Sequence, residues 1–221
     1  HYFLSSLMGA KVLLAAKSME LVSSDSGVKI MPDITFADCP AALDLLCVPG
    51  GTTGTLAAMQ DAETMAFIRK AGAAAKVVSS VCTGSLILGA AGLLKGRKAT
   101  SHWLVKDLLH HFGATVSNDR VVEDGKLITA AGVTAGMDFG LHMSLKWRDR
   151  EYTDCLALLA EYDPHPPTTA GDPAKAPAKT KLLTMRAVSF IILAFSRAFI
   201  AYSKELSNLL LFKYLVANTT L

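Results

Sequence analysis

The chain has 221 residues, 51% hydrophobic but only 7% aromatic, and a formal net charge of +3. It is long enough to bury a sizeable core and too apolar to stay disordered, so we expect one α/β domain of ordinary size plus a tail. The small charge, with no Lys/Arg cluster to concentrate it, excludes a nucleic-acid partner.

In chain order, Val12-Leu13-Leu14-Ala15-Ala16 reads as a strand, and Gly27-Val28-Lys29-Ile30 as a short strand or extended arm. Leu43 to Val48 is a continuous apolar run ending in Pro49-Gly50-Gly51, the pattern of a strand covered on both faces of a parallel sheet. Asp61-Ala62-Glu63 opens a helix that runs to Ala75, with Met65, Phe67, Ile68 and Ala71 as its apolar positions. Lys76-Val77-Val78 is the next strand and feeds Ser79-Ser80-Val81-Cys82-Thr83-Gly84-Ser85, after which Leu86 to Leu94 is a helix ended by Gly92 or Gly96. Ala99-Thr100-Ser101-His102 is predicted as a strand and Leu104 to His111 as a helix closed by Phe112-Gly113. Arg120 to Thr129 alternates around Asp124-Gly125, which predicts a hairpin with a type I′ turn. Gly132 to Gly136 leads into a single long helix from Met137 to Glu161.

Strands alternating with helices imply a mainly parallel sheet with helices on both faces, where ligands bind at the carboxyl ends of the strands. Pro49-Gly50-Gly51, Cys82 and His102 all fall at such ends. Ser80-x-Cys82-x-Gly84 has the small-x-nucleophile-x-Gly spacing of a nucleophile elbow, where bulk at either flank would clash. Helix N-terminal amides beneath the sulfur favour the thiolate and predict a pKa lowered from about 8.5 toward roughly 3.5–7.5. A free cysteine is otherwise most often a buried structural residue. Gly50 and Gly51 can turn their N–H groups toward the site, and with the Thr83 amide they would form a hole for developing negative charge. The Thr83 hydroxyl is expected at the pocket floor, and His102 is placed to reach the sulfur or polarise a substrate. Thr52 and Thr134 lie on loops at the same edge and are candidates for positioning a small ligand.

Cys39, Cys47, Cys82 and Cys155 lie far apart with no CxxC pair, and the six histidines show no metal-ligand spacing. We read reduced thiols, a cytoplasmic protein and no metal site. Asp163 to Pro177 is rich in Pro, Ala and Thr and reads as an irregular arm. Beyond it, Ala187 to Tyr202 and Leu209 to Val216 are strongly apolar, with Arg197 breaking the first run. A span needs about 20 apolar residues, which favours a packed terminal helix, or a stretch foreign to the domain, over a membrane anchor.

The runs Asp44 to Gly51, Ser80 to Ser85, Leu88 to Trp103, Arg120 to Gly125 and Thr134 to Phe139 together resemble the PfpI/ThiJ-like branch of the class I glutamine-amidotransferase-like superfamily, and within it the isonitrile hydratases. The resemblance covers Val12 to Pro177. It implies a flavodoxin-like three-layer sandwich, a homodimer, and cofactor-free addition of water to a small R–N≡C substrate through Cys82. With the change of composition, the chain divides into an α/β domain at 1–162, a Pro/Ala-rich arm at 163–180 and an apolar helical tail at 181–221 that departs from the family's polar terminal helix. The family's acid is an aspartate on the loop after its first strand. Here His1-Tyr2-Phe3-Leu4 matches the family's first helix and no Asp or Glu precedes Glu20, so we expect the first strand and that acid to be missing and catalysis to be impaired. Amidase-like ligand-sensing domains of AraC-type regulators share the elbow and the Ala-Thr-x-His-Trp run, but the segment from Lys181 lacks their basic helix pairs. Glyoxalase- and deglycase-like relatives are the remaining alternative; many place His directly after the nucleophile, where this chain has Thr83.

Overall fold

The computed structural model describes residues 1–202. The elements of the first part are α1 (Tyr2–Ser5), β1 (Ala15–Ala16), β2 (Val22–Ser23), β3 (Lys29–Ile30), β4 (Ile34–Thr35), β5 (Leu45–Val48), α2 (Thr53–Gln60), α3 (Ala62–Ala74), β6 (Val77–Val81) and α4 (Gly84–Ala90). They continue as β7 (Lys98–Ala99), a 3-10 helix (Lys106–Phe112), β8 (Thr115–Val116), β9 (Val121–Asp124), β10 (Leu127–Ala130), α5 (Ala135–Trp147), α6 (Arg150–Leu159), α7 (Ala178–Ala187) and α8 (Ser189–Tyr202). Two compact units result, His1–Pro167 and a second from Thr168 that contains α7 and α8. Among the described residues no helix is long and apolar enough to cross a membrane. The apolar run Leu209 to Val216 lies outside the described residues.

The central sheet has the order β5-β6-β10-β9, with β5, β6 and β10 parallel and β9 antiparallel. It is a mixed α/β architecture with a mainly parallel sheet. Pairing Leu45 with Val77 and Ile128 with Ser79 puts Val77, Ile128 and Ala130 on one face, where α5 covers them with Ala135, Phe139 and Met143. The helix α4 packs on β5 and β6 and is buried along its whole length, from Gly84 to Ala90. Its small residues permit this: a Cβ on Gly89 would lie 2.4 Å from the Phe112 ring. Separate two-stranded ladders pair β1 with β4 and β7 with β8, both parallel, and β2 with β3 as a hairpin. Among the described residues the far edge of β5 pairs with no strand.

Several elements depart from the sequence reading for identifiable reasons. The predicted strand Val12 to Ala16 keeps only Ala15–Ala16 in a ladder. A helix, α2, follows the Pro-Gly-Gly turn where none was expected. The single helix expected from Met137 to Glu161 is two helices, because the Asp149 side chain accepts the Tyr152 N–H (2.8 Å) and restarts the chain as an N-cap. The helix at 104–111 is instead 3-10, ended by Gly113 at φ +74°. The strand at 99–102 stops at Ala99, since the Thr100 N–H turns to the Thr129 hydroxyl (2.9 Å). The β9–β10 hairpin forms, but its turn residues are Gly125 and Lys126. Only Gly125 has positive φ (+62°), so the turn is not type I′, which needs positive φ at both positions.

The Phe139 side chain is only 2% exposed at the centre of the α5 face. Phe139→Ala should cost about 3–5 kcal/mol in urea unfolding, and a loss below 1 kcal/mol would contradict the packing. At α3, the Lys17 ammonium and the Thr64 hydroxyl and N–H hold the Asp61 carboxyl down to about 2. A depressed carboxyl contributes stability above its ordinary value of 3.8 and loses it as pH falls through about 2. Asp61→Asn should therefore flatten the fall in melting temperature between those pH values; parallel curves for variant and parent would refute this.

Candidate active site

The strand β6 ends at Val81 and α4 begins at Gly84, so Cys82 and Thr83 alone make the turn between them. Cys82 has φ +60°, a left-handed conformation that side-chained residues rarely adopt and that costs of order 1–3 kcal/mol. Its backbone is held there from three directions. The Cys82 N–H donates to the Ala130 and Ala131 carbonyls (3.0 and 2.8 Å), and the Cys82 carbonyl accepts from the Ser101 and Ser85 hydroxyls (3.0 and 3.2 Å). The flanks must be small. A Cβ on Gly84 would sit 2.2 Å from the Val48 carbonyl, and one on Gly50 would sit 2.8 Å from the Cys82 Cβ. Ser80 is fully buried beneath the turn.

The sulfur is half-buried, and its electrostatics differ from the sequence expectation. Burial pushes the Cys82 thiol up from its ordinary value; the Thr83 amide, the Thr83 side chain and the Val133 amide pull it back down. The lowered pKa predicted from the helix terminus is overridden by desolvation, because the tight turn that presents the sulfur also packs it against its surroundings.

The predicted residues sort themselves around this sulfur. After the end of β5, Gly50 reaches the nucleophile, whereas Gly51 meets its neighbour: the Gly51 N–H donates to the Thr83 hydroxyl (2.9 Å) and is not open to a ligand. That hydroxyl in turn donates to the Gly51 carbonyl (2.7 Å) and lies 2.8 Å from the Thr55 hydroxyl, so Thr83 ties the glycine turn to the elbow while its side chain also reaches the sulfur. The second amide at the sulfur is that of Val133, from the loop after β10, which the sequence reading passed over. The available signal was topological, since β10 is the parallel neighbour of β6 and its carboxyl end must open at the same edge.

His102 packs on the same loop: a Cβ on Gly132 would lie 2.9 Å from the His102 Cδ2. Its Nδ1 accepts the Leu104 N–H (3.3 Å), which leaves the ring proton on Nε2. Burial pushes the imidazole below its ordinary value, so it is neutral at pH 7. The Thr134 hydroxyl is engaged by Arg120 (2.8 Å), while Arg120 also pairs with Asp138. The Thr52 N–H is at the site but donates to the Asp25 carboxylate (2.7 Å). Asp25 sits at the tip of the β2–β3 hairpin, and nothing in its local sequence marked it for the site. The other three cysteines are free, like Cys82. Among the described residues no group of three His, Cys, Asp or Glu side chains could hold a metal ion.

Comparisons with known proteins place the chain in a family. Residues 3–145 match the DJ-1/PfpI family. The isonitrile hydratase of Pseudomonas putida is 46% identical over 175 residues, 79% of this chain and 76% of that protein. A deglycase of Pyrococcus horikoshii is 30% identical over 123 residues, 55% of this chain and 74% of that one. The crystal structure of a ThiJ/PfpI family protein from Pseudomonas syringae superposes with a TM-score of 0.87 at 51% identity, covering 90% of this chain and 82% of that chain. With its flavodoxin-like sheet and its cysteine elbow, the chain belongs to the DJ-1/PfpI family.

Proposed function

We propose that this chain is a cysteine-dependent hydratase that adds water to isonitriles to give N-substituted formamides, with Cys82 as the nucleophile. The observation that carries this reading is Cys82 itself: a strained, positive-φ cysteine at the carboxyl edge of the sheet with two amides directed at its sulfur. The isonitrile hydratase among its relatives supports the substrate class.

The terminal carbon of R–N≡C is a soft electrophile, matched to sulfur. Addition of the Cys82 thiolate forms the C–S bond, and a proton delivered to the same carbon gives the thioimidate R–N=CH–S. Water then adds to that carbon while the nitrogen takes a proton, and the C–S bond breaks to release R–NH–CHO and regenerate the thiol. The sum is one isonitrile plus one water, with no change of redox state. The Thr83 and Val133 amides favour charge on the sulfur, which helps it attack and leave. His102, neutral and with its proton on Nε2, backs the Gly132–Val133 turn and is our candidate for carrying the proton. Gly50 and Gly51 shape the approach to the sulfur.

The exposed apolar side chains of the β2–β3 hairpin, Leu21, Val22, Val28 and Ile30, support a homodimer. Four unpaired cysteines support a cytoplasmic protein. The deglycase relative favours a second reading, attack of the same sulfur on a carbonyl. Against it, Thr83 is engaged with Gly51 and Thr55 and offers no titratable proton beside the nucleophile.

Incubation with cyclohexyl isocyanide, followed by chromatography for the formamide, tests the proposal. Cys82→Ala should lower the rate by at least about a thousandfold, as loss of a nucleophile does elsewhere. Cys39→Ala and Cys155→Ala should stay near the parent rate, and equal rates for Cys82→Ala and parent would sink the assignment. The pH profile follows from the sulfur's burial. A raised pKa means that the thiolate fraction at pH 7 is below that of an ordinary cysteine and grows as pH rises. The rate should climb through a midpoint above the ordinary thiol value; a midpoint below about 7.5 would show that the amides outweigh burial.

A further inference from the structure

We infer that Asp25 is a specificity-determining residue whose carboxylate, at the mouth of the Cys82 site, admits neutral or cationic substrates and disfavours anionic ones. The hairpin tip that carries it is well built. The Ser24 N–H donates to the Val28 carbonyl (2.8 Å), the Ser24 hydroxyl accepts the Val28 N–H (3.1 Å), and Gly27 takes φ +83° to close the turn. From that tip Asp25 Oδ2 accepts the Thr52 N–H at 2.7 Å and lies 3.5 Å from where a Cβ on Gly51 would stand. Gly51 bonds to Thr83, the residue after the nucleophile, and Gly50 closely approaches the Cys82 Cβ. The carboxylate is thus one short loop away from the sulfur.

Asp25 is exposed and, among the described residues, joins no ion pair. Its field reaches the sulfur: smaller than burial and the Thr83 and Val133 hydrogen bonds, the Asp25 charge still opposes ionisation of Cys82. A negative charge that opposes a thiolate also opposes any anionic group brought up to that thiolate, and the effect weakens with salt. No Asp or Glu precedes Glu20 in the sequence, yet the fold brings Asp25 to this edge from a hairpin. The substrate class rests on the hydratase proposal, whereas the charge effect on Cys82 does not.

The test compares alkylation of Cys82 by iodoacetamide, which is neutral, and iodoacetate, which is anionic, with the modified peptide measured by mass spectrometry. Asp25→Asn keeps an oxygen to accept the Thr52 N–H and removes the charge. It should raise the iodoacetate-to-iodoacetamide rate ratio roughly two- to tenfold at low salt, with the gain shrinking toward one at about 1 M salt. In turnover, the ratio of kcat/KM for isocyanoacetate to that for cyclohexyl isocyanide should rise in the same direction, and Asp25→Glu should restore the parent ratio. An unchanged alkylation ratio, or equal loss of rate with both reagents, would overturn the proposal and leave Asp25 as a loop anchor only. Absence of formamide from every isonitrile would refute the hydratase reading alone, since the alkylation ratio is read without turnover.

Discussion

The site depends on one constraint: Cys82 must stay in a left-handed backbone conformation that its own side chain disfavours. Neighbouring elements impose it. The Cys82 N–H is fixed by carbonyls at the end of the parallel strand β10, and its carbonyl by two serine hydroxyls. Strain of this size persists only where surrounding bonds over-determine it. The same bonds explain the run of small residues, because a sharp turn brings the backbones of β5, β6 and α4 so close that Gly50 and Gly84 leave no room for a Cβ.

That closeness has an electrostatic consequence. Presenting the sulfur on a tight turn gives it the Thr83 and Val133 amides but also removes water from around it, and removal of water has the larger effect. The sulfur is therefore a thiol poised against nearby donors rather than a standing thiolate. In the proposed hydration the first step needs both a sulfur nucleophile and a proton, and a thiol carries the two together.

The four threonines at the edge have distinct duties once their partners are known. Thr83 and Thr55 lock the Gly51 turn to the elbow, Thr52 anchors the β2–β3 hairpin through Asp25, and Thr134 holds Arg120 at the start of α5. In sequence they look alike, since a hydroxyl on a loop after a strand carries no information about its partner.

The sequence by itself determined the parallel strand–helix order, the elbow and the glycine turn beside it, because apolar periodicity and excluded volume are local properties that residue type reports directly. It also located the hairpin of β9 and β10, though one residue off in its turn. It could not tell a long helix from two, since the break at Asp149 rests on a side-chain cap that any surface aspartate could have made. Only the tertiary structure decided the balance of burial and amide donors at Cys82, the commitment of the Gly51 N–H to Thr83, the arrival of Val133 at the sulfur and that of Asp25 beside the Gly51–Thr52 turn. Each of these depends on groups tens of residues apart in the chain meeting in space, and desolvation and hydrogen-bond partnership exist only once they have met.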